Sequence, residues 1–293
     1  MFGFIIGLAF LSGLPRGLDG HAVAIADDFN ILGSPAGVCK AFSQLQRLIL
    51  DSGLAIRSDK CGLLWPRLPP VPQAIQDWAS LVRIPVHEGS MESLGAPVGA
   101  MTPFTTKFLA AKVASHAGFF ELLSRPDLSV QVALLLLRLS TIPAMGYLSR
   151  VIHPSRFGLH AAAFDQQVIG AVVQKLGLPS PISNVALNTL ALPIRLGGFG
   201  LRSVHTTSPV AFWSALASSA SDIASYVLPR DRVVQLVDPV TRSSLANELF
   251  NCHSEIKRRC PDVPPTVLPP DPADFWQLYG DNPPPRGLQR STS

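Results

Sequence analysis

A pair of adjacent aspartates between two apolar runs constrains the fold more than any other part of this sequence. Asp27 and Asp28 lie between residues 21–25 (His-Ala-Val-Ala-Ile) and residues 29–33 (Phe-Asn-Ile-Leu-Gly). Apolar segments on both sides of a short polar pair predict a β-hairpin with the acidic residues at its tip. Asp suits such a turn because its short side chain hydrogen-bonds the local backbone.

The two carboxylates have two interpretations. Neighbouring negative charges repel each other, and a divalent cation relieves that repulsion. Mg²⁺ prefers carboxylate, water and phosphate oxygens, and two-metal phosphoryl transfer uses carboxylates held on a rigid element. The alternative is a solvated Asp-Asp turn without chemistry. The spacing by itself leaves both interpretations open.

Further motifs follow the aspartates in a definite order. Residues 53–61 read Gly-Leu-Ala-Ile-Arg-Ser-Asp-Lys-Cys after a helical stretch, and residues 94–99 read Leu-Gly-Ala-Pro-Val-Gly. Weaker matches follow at residues 135–138 (Leu-Leu-Leu-Arg), 147–150 (Tyr-Leu-Ser-Arg) and 192–202, which end in Gly-Gly-Phe-Gly-Leu-Arg. This ordered set resembles the second half of a reverse transcriptase of the non-LTR retrotransposon type, over about residues 1–204.

The resemblance implies roles for individual residues. Asp27 and Asp28 are expected to be the catalytic carboxylates that hold Mg²⁺ or Mn²⁺. Lys60 either touches incoming phosphates or simply extends from the surface. Gly95 and Gly99 match the turn that holds the primer, a role compatible with a purely structural turn. Four arginines are expected to contact backbone phosphates: Arg138, Arg150, Arg195 and Arg202.

The chain departs from the family at two points. Ile25 stands where the family has Tyr or Phe. The fingers and the palm strand that carries a further metal-binding Asp are expected well upstream of Asp27, yet 26 residues precede it and Asp19 is their only acid. We therefore expect a fragment that begins inside the palm, is inactive alone and binds the metal weakly. Its expected partners are an RNA template, a DNA primer and the missing N-terminal polymerase segment.

The composition bounds the class of protein. Hydrophobic residues make up 47% of the 293 residues and charged residues 15%, below the roughly 25% of ordinary globular chains. This composition excludes a disordered chain. A net charge of +4 permits nucleic-acid binding without establishing it. The runner-up function is a non-catalytic nucleic-acid-binding or helical interaction protein.

Hydrophobic periodicity predicts an α+β chain in which short strands with helices precede an all-helical region. The resemblance implies that these are a small antiparallel palm-remnant sheet and a thumb-like bundle. The predicted regions are residues 1–100, 101–260 and a Pro-rich tail, 261–293, with little fixed structure. Predicted helices include residues 35–51, 128–139 with Asp127 as N-cap and Pro143 beyond its end, and 157–176. Residues 54–56 and 62–65 are predicted strands, and residues 84–86 and 91–94 a further hairpin. Gly197 and Gly198 are predicted to form a tight loop that inserts Phe199 and Leu201 into the bundle.

Targeting and metal signals are weak. Residues 1–14 are apolar but lack the positive start and cleavage site of a signal peptide. The run at residues 130–139 is shorter than the ~20 residues of a membrane helix, so we expect no membrane association and an intracellular, nuclear or cytoplasmic, protein. Cys252, His253 and Cys260 form a loose group without zinc spacing. His116, His153 and His160 are expected to be packing or surface residues.

Overall fold

The computed structural model describes residues 20–25, 28–65, 69–100, 102–222, 244–262 and 272, with the backbone alone for residues 20–25, 28, 221, 222 and 244. The chain divides into two compact units, Met1–Phe104 and Thr105–Ser293. Helices predominate in the described residues, and six short strands form three two-stranded sheets. The coarse expectation of an α+β chain is therefore confirmed.

The first sheet is the hairpin expected around the aspartates. Strands β1 (Gly20–Ile25) and β2 (Asp28–Gly33) pair antiparallel, with Gly20 opposite Gly33 and Ile25 opposite Asp28. The predicted antiparallel pairing is confirmed. Ala26 and Asp27, which join the strands, lie outside the described residues.

Helix α1 (Pro35–Asp51) has the predicted bounds, and both ends are set by local sequence. The Ser34 hydroxyl accepts a hydrogen bond from the backbone N–H of Gly37 at 3.2 Å, which caps the first turn. Gly53, at a φ of +73°, ends the helix in a left-handed conformation that glycine adopts without strain. The helix packs on β2 as expected. The residues in this contact are Ala41 and Leu45 of the helix with Phe29 and Ile31 of the strand.

The remaining strands of the first unit correct two predictions. Strand β3 (Leu63–Trp65) pairs in parallel with β4 (Val86–Glu88), and helix α2 (Gln73–Val82) connects them. A helical connection returns the chain in its original direction, as parallel pairing requires. The predicted strand at 54–56 is absent, and the predicted pairing of 84–86 with 91–94 was wrong. Instead, β5 (Ser90–Ser93) pairs antiparallel with β6 (Ala96–Gly99).

The second unit consists of helices in its described part. Helix α3 begins at Thr102, at the end of the first unit. The helices are α3 (Thr102–Ala114), α4 (Ala117–Ser124), α5 (Val130–Leu136), α6 (Ile142–Val151), α7 (Pro154–Leu176), α8 (Asn184–Ala191), α9 (Val204–Asp222) and α10 (Ser244–Arg259). Helix α9 lies at the centre, in contact with α6, α7 and α10. Its Trp213 packs with Leu249 and Ile256 of α10 in one apolar core.

Helices α5 and α6 are parts of one helical run, which corrects two expectations. Ser129, not Asp127, is the N-cap, because its hydroxyl accepts a hydrogen bond from Val132 N–H at 3.3 Å. Pro143 does not end the helix. A π-helical turn, Leu137–Thr141, precedes it, and Ile142 N–H bonds to the carbonyl of Leu137, five residues back. This wider turn accommodates the proline ring, which would otherwise meet a carbonyl of the preceding turn.

This run, Val130–Val151, is 22 residues long with a hydropathy of 1.5. By length and composition alone it could cross a membrane, so the argument from shortness was wrong. A third (33%) of an apolar 18-residue window of the run is buried within the protein, and α6 packs on α7 and α9. The run also carries exposed apolar side chains, among them Leu139 at 67% exposure.

Two carboxylates cap helices from distant parts of the second unit. Glu248 of α10 accepts a hydrogen bond at 2.7 Å from Ser155 N–H, in the first turn of α7. Asp165 of α7 accepts from Val204 N–H at 2.9 Å and His205 N–H at 3.0 Å, at the start of α9. Both carboxylates lie at helix N-termini, where negative charge is favourable. They fix how α7, α9 and α10 join.

The predicted Pro-rich tail lies outside the described residues apart from residues 261, 262 and 272. Its expected lack of fixed structure stays a prediction.

Candidate nucleic-acid interface

Of the predicted catalytic pair, Asp28 begins the second strand of the first hairpin. It stands opposite Ile25, so two residues join the strands. A register with two residues between paired strands is common in hairpins, and it places Asp28 at the end of the sheet. Asp27 and the side chain of Asp28 lie outside the described residues, so metal binding there stays a prediction.

Lys60 ends a short 3₁₀ turn, Ser58–Lys60, after α1. Its side chain is exposed and borders a cavity of about 570 Å³ between α1, β2 and β5. Neighbouring Arg57 donates to Asp59 at 2.8 Å, and this hydrogen bond lowers the pKa of the Asp59 carboxyl. Arg57 is therefore paired with a carboxylate, whereas no carboxylate of the described residues forms an ion pair with Lys60.

Gly95 and Gly99 shape the second hairpin. Leu94 and Gly95 form its two-residue turn with φ values of 51° and 72°, and positive φ at both positions is typical of a type I′ turn. Gly99 has a φ of 115°, and a Cβ there would stand 2.2 Å from the Gly89 carbonyl oxygen. Both glycines are required by the backbone, and a primer-holding role stays a prediction.

Three of the four predicted phosphate-binding arginines border one cavity of the second unit. Arg138, Arg195 and Arg202 line a space of about 540 Å³ between the α5–α6 run, the loop before α9 and the first turns of α9. We call this space the arginine cavity. Ile142, Pro193 and Ile194 supply apolar wall. Arg150 is exposed on α6 and does not line the cavity.

Backbone hydrogen bonds hold the loop that carries two of these arginines. Arg195 lies in a 3₁₀ turn, Ile194–Leu196, and Gly197 follows with a φ of 81°. The loop then folds back on the end of α8. Three bonds hold it there: Phe199 N–H to Thr189 O at 3.1 Å, Gly200 N–H to Leu192 O at 2.8 Å and Leu201 N–H to Leu190 O at 2.9 Å.

The predicted tight loop is therefore confirmed, with one correction to its packing. Leu201 is buried, at 6% exposure, whereas Phe199 is only half-buried. The predicted insertion of both side chains was wrong for Phe199.

The arginine cavity has a positive lining. In the described part of the chain, no Asp or Glu lines it, and no carboxylate lies within ion-pair distance of Arg138, Arg195 or Arg202. Other arginines of the second unit are paired: Arg125 with Asp127 at 2.8 Å and Arg258 with Glu255 at 2.7 Å. Among the described residues, the three cavity arginines thus lack the carboxylate partner that Arg125 and Arg258 have.

Other titratable groups of the second unit serve packing. His116 contacts Phe164 edge-on with ring centroids 5.3 Å apart, and His153 contacts Phe212 at 5.2 Å, which confirms their packing role. Burial raises the pKa of the Cys252 thiol to about 12, so the thiol is protonated and unreactive at neutral pH. Among the residues that the structure describes, no group of three or more His, Cys, Asp and Glu side chains could hold a metal ion.

Sequence reasoning missed three features of the second unit: the π-helical turn that carries Arg138, the capping role of Asp165 and that of Glu248. Pro143 within an apolar helical pattern is a local signal for an altered turn. The two caps leave no local signal, because their partners lie far away in the sequence. The convergence of the arginines also required the tertiary structure.

Comparison of the chain with protein families, curated proteins and solved structures finds no match.

Proposed function

We propose that this chain is a reverse-transcriptase-like segment derived from an RNA-directed DNA polymerase, and that its 293 residues bind nucleic acid without polymerising alone. The observation that carries the proposal is the register of β1 and β2, in which Ile25 pairs with Asp28 and two residues separate them in the sequence. The elements that follow keep the order that the resemblance implies: a helix packed on that hairpin, a hairpin with a glycine turn and then a helical unit.

The proposed metal chemistry rests on Asp27 and Asp28 with Mg²⁺ or Mn²⁺. When bound, the ions would supply charge stabilisation during phosphoryl transfer. One adjacent carboxylate pair does not fix two ions about 4 Å apart, and the 293 residues include neither the fingers nor a second palm Asp in the expected position. Weak metal binding and no synthesis by these residues alone follow from this reasoning.

Primer extension on an RNA template tests the catalytic part of the proposal. Wild-type chain and the Asp27→Ala variant are assayed with Mg²⁺ and with Mn²⁺, and neither is expected to extend the primer. Extension by wild type that disappears in Asp27→Ala would contradict the claim that these residues are inactive alone.

The proposed partners are an RNA template and a DNA primer, contacted through the arginines of the second unit. Each phosphate neutralised on duplex DNA contributes about −0.9 to the slope of log affinity against log salt. Three or four contacts give a slope of roughly −3. Titration of a labelled primer–template duplex at several salt concentrations measures this slope, and a flat response would contradict nucleic-acid binding.

The second candidate is a non-catalytic nucleic-acid-binding or helical interaction protein. The arginine cavity favours it, since its three arginines belong to the helical unit, whereas the aspartates belong to the first unit. In this case affinity persists after Asp27→Ala and Asp28→Ala and does not depend on a divalent metal. The same titration, repeated with the double variant and with EDTA, separates the two candidates.

A further inference from the structure

We propose that the arginine cavity binds a phosphorylated nucleoside, with the phosphate on the guanidinium groups and the nucleoside on the apolar wall. The inference rests on the proposed nucleic-acid binding and specifies one contact: a single nucleotide that enters the cavity, not a phosphate backbone that crosses the surface.

The charges around the cavity are the first argument. Arg138, Arg195 and Arg202 keep their positive charge at any physiological pH. Three like charges at one cavity repel each other, and no described carboxylate balances them. A bound anion would supply the missing charge. The planar fork of a guanidinium matches the oxygens of a phosphate with paired hydrogen bonds.

The backbone around Arg138 is the second argument. Arg138 lies in the π-helical turn Leu137–Thr141, and such turns are rare and frequently occur at functional sites. Gly200, at a φ of +69°, faces its side chain: a Cβ on Gly200 would lie 3.2 Å from Cδ of Arg138. The absence of a side chain at Gly200 therefore leaves room for the stem of Arg138 along the loop.

The apolar wall is the third argument, and it selects a nucleotide over a free inorganic anion. Ile142, Pro143, Pro193, Ile194 and Val204 line the same space as the arginines. Inorganic phosphate would leave this wall in contact with water, whereas a base or sugar would cover it. The volume of about 540 Å³ lies within the roughly 300–1,000 Å³ of small-molecule sites.

Calorimetric titration of the full chain tests the inference with three probes: 2′-deoxyadenosine 5′-monophosphate, 2′-deoxyadenosine and inorganic phosphate. The monophosphate is expected to bind at least about tenfold more tightly than either of the others, since only it fills both parts of the cavity. Equal affinity for the monophosphate and inorganic phosphate would overturn the nucleotide assignment. No detectable binding of the monophosphate would overturn the inference altogether.

Variants locate the site. Arg138→Gln and Arg195→Gln are each expected to weaken monophosphate binding about tenfold or more, because each removes charge-assisted hydrogen bonds. Arg47→Gln, on the exposed side of α1 in the first unit, removes the same charge and is expected to leave affinity unchanged. Equal losses in all three variants would mean a diffuse charge effect and overturn the assignment. Arg195 is exposed, so its variant remains a test even if Arg138→Gln fails to fold.

Titrations with oligonucleotides distinguish failure of this inference from failure of the proposed function. They also identify the source of the phosphate. Tighter binding of a 5′-phosphorylated than of an unphosphorylated oligonucleotide, lost in Arg195→Gln, would support a strand end as the ligand. If the monophosphate binds and the duplex does not, nucleotide binding by the arginine cavity is supported and the proposed function is contradicted. If duplex binds wild type with the expected salt dependence and the monophosphate does not bind, the inference fails and the proposed nucleic-acid binding is retained.

Discussion

The two units differ in how deeply they bury their side chains. Among the described residues, the ten largest fully buried side chains all belong to the second unit, with Trp213, Phe157 and Phe164 at the head. In the first unit, Trp65 and Phe42 retain 9% and 8% exposure. A two-stranded sheet is at best marginally stable in water, whereas contacting helices share one core. The difference indicates that the well-packed core lies in the second unit, whereas the residues of the proposed metal chemistry lie in the first.

Truncation of one phenylalanine in each unit is the largest expected effect. Phe164, at 0% exposure, contacts the rings of His116 and Phe120, and Phe164→Ala is expected to cost about 3–5 kcal/mol. Phe42→Ala is expected to cost less, because Phe42 already borders the cavity of about 570 Å³ and its site is partly open. Denaturant unfolding measures both. The control is Leu159→Ala, at 86% exposure, expected within about 0.5 kcal/mol of wild type.

Equal losses from Phe164→Ala and Phe42→Ala would break the comparison, since the first unit would then have a core of its own as well packed as the second.

Glycine substitutions sharpen the comparison at two tight turns. A Cβ at Gly198 would lie 2.1 Å from Leu192 O in the second unit, and one at Gly99 2.2 Å from Gly89 O in the first. Because backbone atoms cannot move aside cheaply, both Ala variants are expected to lose about 1–3 kcal/mol or more. Thermal melts measure the loss. Gly170→Ala in α7, where no atom lies within 4 Å of the added Cβ, is expected to be stabilising by up to about 1 kcal/mol.

A Gly99→Ala variant that melts like wild type would show that the second hairpin of the first unit adapts freely, and a destabilised Gly170→Ala would contradict the steric explanation.

The carboxylate caps test whether the second unit owes its stability to long-range polar contacts as well as to its core. Glu248 is buried, at 5% exposure, and its carboxylate bonds to Ser155 N–H. Glu248→Gln is expected to cost about 1–3 kcal/mol, the range for hydrogen bonds to charged groups and for helix caps. Glu255, paired with Arg258 and Arg259 on the surface of the same helix, provides the control, and Glu255→Gln is expected to cost about 0–1 kcal/mol.

Chemical denaturation of the two variants under the same conditions measures the two free-energy losses. A cost for Glu255→Gln as large as that for Glu248→Gln would mean that general charge balance, not the cap on α7, is what matters.

The sequence predicted those elements whose ends are determined by neighbouring residues. Ser34, Pro35 and Gly53 set both ends of α1, and the alternation around the aspartates predicted the β1–β2 hairpin. The parallel pairing of β3 with β4 was not predictable from turn signals, because an intervening helix determines the strand direction. Glu248 and Ser155 are 93 residues apart, so no sequence window contains both.

At the candidate site, too, the sequence identified individual residues, and the tertiary structure was needed to bring them together. Resemblance to a family singled out Arg138, Arg195 and Arg202 one by one, and only the folded second unit brings them to one cavity. The resemblance also named Arg150, which lies elsewhere on α6. Spacing along the chain does not reveal such a convergence, because it depends on a π-helical turn and on the loop that folds back on α8.

The smallest expected effect is a pH dependence confined to the second unit. Burial against Phe212 lowers the pKa of His153 below its ordinary value of 6.5, Glu248 opposes this shift and Arg156 adds to it. The folded state therefore favours the neutral ring, whereas the unfolded chain takes up a proton near pH 6.5. The stabilisation is complete above that pH and is lost as the pH falls from about 6.5 through the lower folded pKa. Denaturant unfolding at pH 7.5 and at pH 5 measures this loss of stability. The loss is expected in wild type and should be smaller in His153→Asn. An equal loss in both proteins would assign the pH dependence to other groups, and it would no longer distinguish the second unit from the first.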